Sequence, residues 1–385
     1  MSRKNIVLIV PTLHQGGIER MCMLTARLLQ AYANVVVVIF NDADIFYDVT
    51  GVEVIPLNLE SRPSKIGKIT QLIRRILALR KIKKQYKADL SYSFGDTANL
   101  ANVFSKSRGE TWCGMRAYGS LRDRKCVLLP CKLANRVIAC SHVMAKEIER
   151  MYPKKQIDVL YNPCDMQMIE KRAREQIAES YTFATEDVFT IITMGRAHDV
   201  KGYWHLLKAF SIMKREIAKC HLVFIGDGDY SEYMQLATQL GIRDDVTFAG
   251  VQANPFSLLH QGNLYLLTSE SEGFPNALVE AMAVGIPVMS VNCKSGPAEI
   301  LSKDYRLVED DTKVYYEEYG ILLPTINGVK NLEPSILEEE DHVIATEMVK
   351  IYQNTAMQQV YKCKSKDRAR TFSNDTYVHD FMGMV

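Results

Sequence analysis

The chain has 385 residues, of which 47% are hydrophobic and 24% charged. That composition excludes a disordered polypeptide and supplies enough apolar surface for two domains with full cores. The net charge of +2 hides a split: residues 1–180 carry 29 Lys+Arg against 17 Asp+Glu, net +12, and the remainder 18 against 28, net −10.

In chain order, Asn5–Val10 predicts a strand. Its apolar run is too short to cross a membrane and has no small-residue cleavage site behind it, so it reads as neither span nor signal peptide. Ile18–Ala31 predicts an amphipathic helix. Val35–Phe40, VVVVIF, predicts a strand buried on both faces. Gly67–Tyr86 has helical period, and Ala88–Phe94, Arg136–Ala139 and Asp158–Leu160 read as strands. Residues 166–187 are polar and form the expected connection. The alternation then restarts. Strands are predicted at Phe189–Met194, His221–Ile225, Val246–Ala249, Leu264–Leu267 and Pro287–Val291. Helices are predicted at Tyr203–Lys214, Tyr230–Leu240 and Asn276–Val284, and residues 333–385 are mainly helical. Such alternation implies an α/β fold of two doubly wound, Rossmann-like domains facing across a cleft. The expected division is 1–180, 181–365 and a helical segment 366–385 that packs back on the first domain. Nine Cys, with no C-x-x-C pair and no His at zinc spacing, read as reduced thiols of a cytosolic protein.

Ligands of doubly wound sheets bind beyond the carboxyl ends of the strands, so the loops after strands are the candidates. Pro11–Arg20 places Gly16 and Gly17 before a helix, where backbone N–H groups suit a phosphate. It lacks the G-x-G-x-x-G of a dinucleotide site and the Gly-Lys-Ser/Thr of a P-loop, and a plain turn fits it as well. Met194–Gly202 carries Arg196 and Lys201, a pair suited to a diphosphate, although a solvated basic loop fits it as well. Ile225–Tyr230 has glycines that permit close approach to a ligand, and a tight turn fits them equally. Phe248–Pro255 offers backbone around Val251 for a nucleobase. The fifth loop, SESEGFPNALVE, places Glu272 just before a short helix and Glu280 on it. Carboxylates there accept hydrogen bonds from paired hydroxyls. Glu270 fits a simpler role, stabilised by the helix dipole.

The E-x7-E arrangement in EGFPNALVE followed by AMAVGIPV resembles the signature of family-four retaining glycosyltransferases of the GT-B fold. GGIER, GRAHDVKG, VIACSHVM, VLYNPCD, SGPAEIL and YGILLP resemble further segments of that family, so the likeness spans nearly the whole chain. The resemblance implies that Arg196 and Lys201 neutralise the donor diphosphate and that Gly16 and Gly17 bring N–H groups to it. It implies that Glu280 binds ribose hydroxyls, that Glu272 contacts the donor sugar, and that Gly273, Phe274, Pro275 and Asn276 hold sugar and phosphate through their backbone. It implies no metal and no cofactor, UDP-sugar as the favoured donor, and retention of configuration without a protein nucleophile. Asp96 and Arg116 are the acceptor-side or sugar-contacting candidates, because no His stands clearly in the corresponding region.

Residues 62–87 hold ten Lys/Arg and no acid. An anionic membrane leaflet fits this run better than nucleic acid, for which recognition motifs and interleaved aromatics are lacking. The expectation is a cytoplasmic enzyme, peripheral at the inner face of the cell membrane, acting on a saccharide or lipid-linked acceptor in surface-polysaccharide synthesis. A sugar-nucleotide epimerase of the same architecture and a non-catalytic nucleotide-sugar binder are the alternatives.

Overall fold

The computed structural model describes residues 3–59, 64–177 and 187–385. They form two compact units, Met1–Pro163 with Asn374–Val385, and Cys164–Ser373. Of the basic run, Arg62 lies outside the described residues, as do residues 178–186 of the expected connection.

The first unit has seven strands: β1 Asn5–Val10, β2 Asn34–Ile39, β3 Glu53–Pro56, β4 Leu90–Phe94, β5 Glu110–Met115, β6 Arg136–Ala139 and β7 Ile157–Val159. Their order is β3-β2-β1-β4-β5-β6-β7, and every pairing is parallel. The reason lies in the alternation of side chains along a strand. Ile6, Leu8, Val10, Val35, Val37 and Ile39 enter one core cluster, shared with the helix Gly17–Leu29. Val7, Ile9, Val36, Val38 and Phe40 enter another on the opposite face, with Leu79 and Ile82 of the helix Lys65–Gln85. Both faces are covered, so the strands read as unbroken apolar runs.

The second unit contains β8 Phe189–Met194, β9 Cys220–Ile225, β10 Val246–Gly250, β11 Leu264–Leu267, β12 Val288–Val291, β13 Tyr315–Tyr316 and β14 Ile321–Leu323. The order is β10-β9-β8-β11-β12-β14-β13, and only the β13–β14 pair is antiparallel. In each sheet the order reverses once, between β1 and β4 and between β8 and β11. Those switch points open a crevice at the carboxyl edge.

The division differs from the expected one at both boundaries. The first break falls at Pro163/Cys164, because the helix Met166–Ala173 belongs to the second unit. Arg172 Nη2 there donates to the Ala253 carbonyl at 2.6 Å, and Asn254 Nδ2 donates to the Arg172 carbonyl at 2.9 Å. The second falls at Ser373/Asn374, so the helix Thr355–Arg370 stays in the second unit and the helix Asn374–Met384 joins the first. There Phe381 sits 5.4 Å from the Trp112 ring, and Tyr377 Oη shares a hydrogen bond of 2.8 Å with Thr25 Oγ1. Strands β3, β5, β13 and β14 are absent from the sequence-based expectation. EVIP and ILL are short, and ETWCGM is diluted by Cys and Gly.

Candidate active site

The β8/β11 switch point of the second unit gathers the loops that follow both strands. The loop after β8 runs from Gly195 to Gly202. Its Gly195 N–H donates to the Ile225 carbonyl at 2.8 Å, and Ala197 N–H to the Asp227 carbonyl at 2.7 Å. This stitches it to the loop after β9. A Cβ on Gly226 would lie 2.0 Å from the Gly195 carbonyl oxygen. The expected close approach at IGDGDY is therefore taken by the neighbouring backbone, a correction to its reading as a ligand cradle. Gly202 has φ +60, and a Cβ there would lie 2.3 Å from the Thr268 carbonyl oxygen. Only glycine lets the loop end this tightly against the segment after β11.

That contact aligns Lys201 with Glu272. Thr268 Oγ1 donates to the Lys201 carbonyl at 2.9 Å, and Glu270 N–H donates to the Val200 carbonyl at 2.8 Å. Lys201 Nζ then meets Glu272 Oε1 at 2.7 Å, with the two side chains only 20% and 14% exposed. Ser269 Oγ donates to the same oxygen, also at 2.7 Å. Two donors thus hold Oε1 and orient the carboxylate. The Glu272 backbone is pinned to the loop after β12: its N–H donates to the Lys294 carbonyl at 3.0 Å, and its carbonyl accepts from Ser295 N–H at 3.1 Å. Ser295 Oγ donates to the Gly273 carbonyl at 2.8 Å.

The helix Asn276–Val284 starts from Pro275 as its N-cap, one position earlier than the expected role of Pro275 at the first helical turn. No side chain caps this end, and Gly285 closes the other with φ 90. Glu280 is 5% exposed on this helix. Glu272 and Glu280 come within electrostatic reach of one buried phenol. Burial, then Glu272, then Glu280 push the Tyr265 hydroxyl well above its ordinary pKa. Phe274 and Pro275 are buried, and the Phe274 ring packs 5.3 Å from Phe372. Arg196 is exposed on the same loop as Lys201, and Val251 is exposed just beyond β10.

A strap missed by the sequence reading braces the loop after β8. Lys330 Nζ bonds Asp199 at 2.9 Å and also meets Glu232. His205, fully buried, pairs with Asp341 at 2.6 Å and with the Asn327 carbonyl at 2.9 Å. Burial works against the charged His205 ring, but Asp341 and Asn327 outweigh it and its pKa is raised. No motif marks these residues, because Lys330 and Asp341 lie far along the chain from their partners.

In the first unit Gly16 is committed: its N–H donates to Tyr47 Oη at 2.9 Å, and its carbonyl accepts from the same hydroxyl at 2.6 Å. A Cβ on Gly16 would fall 2.3 Å from the Glu19 carboxylate, so an acid lies over the expected phosphate turn. Gly17 begins the helix and is exposed. Arg116 is half-buried; it donates to Asn162 Oδ1 at 2.6 Å and to Tyr92 Oη, and lies 5.0 Å from the Phe94 ring centroid. Asp96, the first residue of the helix Asp96–Phe104 that follows β4, accepts from Ser120 Oγ at 2.9 Å.

Residues 174–315 match the family model described as glycosyl transferases group 1. The chain is 26% identical to an uncharacterized glycosyltransferase of Methanocaldococcus jannaschii, over 82% of this chain and 83% of that protein. It is 23% identical, over 96% of each, to the N-acetylgalactosamine-N,N'-diacetylbacillosaminyl-diphospho-undecaprenol 4-alpha-N-acetylgalactosaminyltransferase of Campylobacter jejuni. Among solved structures, Anabaena HepE in complex with UDP and glucose superposes with a TM-score of 0.76 at 18% identity, with both chains fully covered.

Proposed function

We propose that this chain, whose residues 174–315 match the group 1 glycosyltransferase family, is a retaining enzyme that moves a sugar from a nucleoside-diphosphate sugar to a lipid-linked saccharide acceptor in surface-polysaccharide synthesis. UDP is the favoured nucleotide, in keeping with the HepE complex with UDP and glucose. The lipid-linked acceptor is in keeping with the diphospho-undecaprenol substrate in the name of the Campylobacter relative. Such an acceptor would bring the enzyme to a membrane surface, in the proposal its cytoplasmic one.

The observation that carries the reading is the doubly held Glu272 carboxylate beside Lys201 at the β8/β11 switch point. Cleavage of the sugar–phosphate bond leaves negative charge on the nucleoside diphosphate and positive character on the sugar. Lys201 and Arg196 offset the first. Glu272 Oε2 would receive sugar hydroxyls while Oε1 stays fixed, and Glu280 would take the ribose. The backbone of Gly273 to Asn276 opens the helix whose N-terminal dipole favours phosphate. Val251 would border the base, and Gly17 would contribute to the phosphates more readily than the committed Gly16. With the leaving phosphate assisting deprotonation of the acceptor, Glu272 positions the sugar and does not attack it. Asp96 is the acceptor-side candidate; Nη1 and Nη2 of Arg116 are engaged within its own unit, by Asn162 and Tyr92.

A nucleotide-sugar panel tests this by thermal shift, followed by turnover on lipid-linked acceptor with and without EDTA. The wild type is expected to be stabilised by one UDP-sugar and to turn over equally in EDTA. Glu272→Gln and Lys201→Met are each expected to lower kcat about 100-fold or more, the scale of a lost transition-state charge contact. Near-normal turnover of Glu272→Gln would overturn its role. Epimer formed without acceptor would assign an isomerase, and donor binding without any turnover a non-catalytic binder.

A further inference from the structure

The helix Lys65–Gln85 has an apolar face that the first unit does not use. Gly67, Gln71, Leu79 and Ile82 face the protein and are buried. Ile66, Ile69, Ile73 and Leu77 do not: they are 77%, 60%, 51% and 62% exposed. At 100° per residue these four fall within an arc of roughly 80°, one row about 16 Å long on the outer side of the helix. A helix on the surface of a soluble domain ordinarily shows one apolar stripe and a polar back. This one is apolar on two sides, and its second stripe is bordered by exposed Lys65, Arg74, Arg80, Lys81 and Lys84. The helix contains no acidic residue.

We propose that this outer face docks in the plane of an anionic lipid bilayer, with Ile66, Ile69, Ile73 and Leu77 entering the acyl boundary and the five cations meeting the headgroups. Two contributions act together. The cations are attracted to an anionic leaflet, an attraction screened by salt. The aliphatic row is buried to a depth of about 5–10 Å, which salt does not screen. The charge pattern selects the occupant. A second copy of the same face would bring like charges together without an acid to offset them. A nucleic acid backbone would satisfy the cations but would leave four large aliphatic side chains in water. Lipid satisfies both. The inference deepens the membrane-side part of the proposed function, although the face itself exists whatever the second unit transfers.

The test uses the full chain with vesicles of phosphatidylcholine alone or mixed with phosphatidylglycerol. The two native Trp, Trp112 and Trp204, are fully buried, so Ile73→Trp adds one reporter at the surface. Its emission is expected to shift to the blue with phosphatidylglycerol vesicles and to be quenched by brominated acyl chains. The wild type is expected to float with those vesicles and not with phosphatidylcholine alone. I69N/I73N is expected to float about 10-fold less or worse at unchanged melting temperature, since two aliphatic insertions are lost. An unshifted Trp reporter, equal flotation of I69N/I73N, or no flotation of the wild type overturns the proposal. So does a wild-type dimer that I69N/I73N converts to monomer. UDP binding, read by thermal shift, is expected to be unchanged in all these variants, which separates failure of the docking face from failure of the glycosyltransferase reading.

Discussion

Ser269 and Lys201 hold the same oxygen of Glu272, each at 2.7 Å, and this sharing sets the consequences of changing either. Ser269→Ala removes one donor to a charged acceptor, a loss of about 1.5–3 kcal/mol. The expected outcome is a fall in kcat of about 10-fold or more with little change in KM for nucleotide or in melting temperature. Ser269→Thr, which keeps the hydroxyl, is expected to restore most of it; steady-state kinetics on the three proteins decides. Lys83 is the residue whose effect is on stability. It is buried in the first unit and donates to the Asn102 carbonyl at 3.1 Å and to Asn102 Oδ1 at 2.6 Å. Burial pulls its pKa down to about 7. Above its unfolded pKa both states are neutral and Lys83 costs nothing. As pH falls toward 7 the unfolded chain takes up a proton that the folded chain does not, so the unfolded state gains. The cost is complete below pH 7. Denaturant titrations between pH 7 and 10 are expected to show the stability of wild type relative to Lys83→Met rising by up to about 1.4 kcal/mol per pH unit, a comparison in which the buried thiols, which titrate in the opposite sense, cancel.

At the scale of elements, the site depends on two post-strand loops being pressed together. Gly202 is where they touch: φ is +60 and the Thr268 carbonyl occupies the space of a Cβ. Gly202→Ala meets both the left-handed backbone cost of about 1–2 kcal/mol and a backbone clash. It is expected to lower the melting temperature and to reduce kcat/KM at least about 10-fold by shifting Lys201 off Glu272. Unchanged kcat/KM would show that the pairing is not needed. The loops themselves are legible in the sequence, because a β-branched run, a glycine and a helical period are all local signals. Arg196, Lys201, Glu272 and Glu280 are found this way. Ser269 is not, since a Ser among SESEGF looks like any polar loop residue until its hydroxyl is placed against Glu272. The occupied turn at Gly16 is equally hidden, because Tyr47 and Glu19 decide it through side-chain contacts.

Across the whole molecule, the second crossing of the chain between units at Ser373/Asn374 makes the C-terminus part of the first core. Phe381 packs against Trp112 at 5.4 Å and Tyr92 at 6.0 Å. Phe381→Ala is expected to cost about 3–5 kcal/mol of first-unit stability, the usual loss for a buried Phe. Calorimetry should show a lowered first-unit transition with the transition of the second unit in place. Sequence alone determines the α/β class, the two doubly wound sheets and the post-strand loops that form the candidate site, since periodicity and composition act over a few residues. It also determines that the helix at 65–85 is basic, but not that four of its aliphatic residues face outward. The tertiary structure decided which strands are neighbours, and so which loops meet. It moved the unit boundaries to Pro163/Cys164 and Ser373/Asn374, braced the loop after β8 with Lys330, and set Lys201 against Glu272. These are contacts between segments far apart in the chain, and their free energy exists only once both sides are ordered.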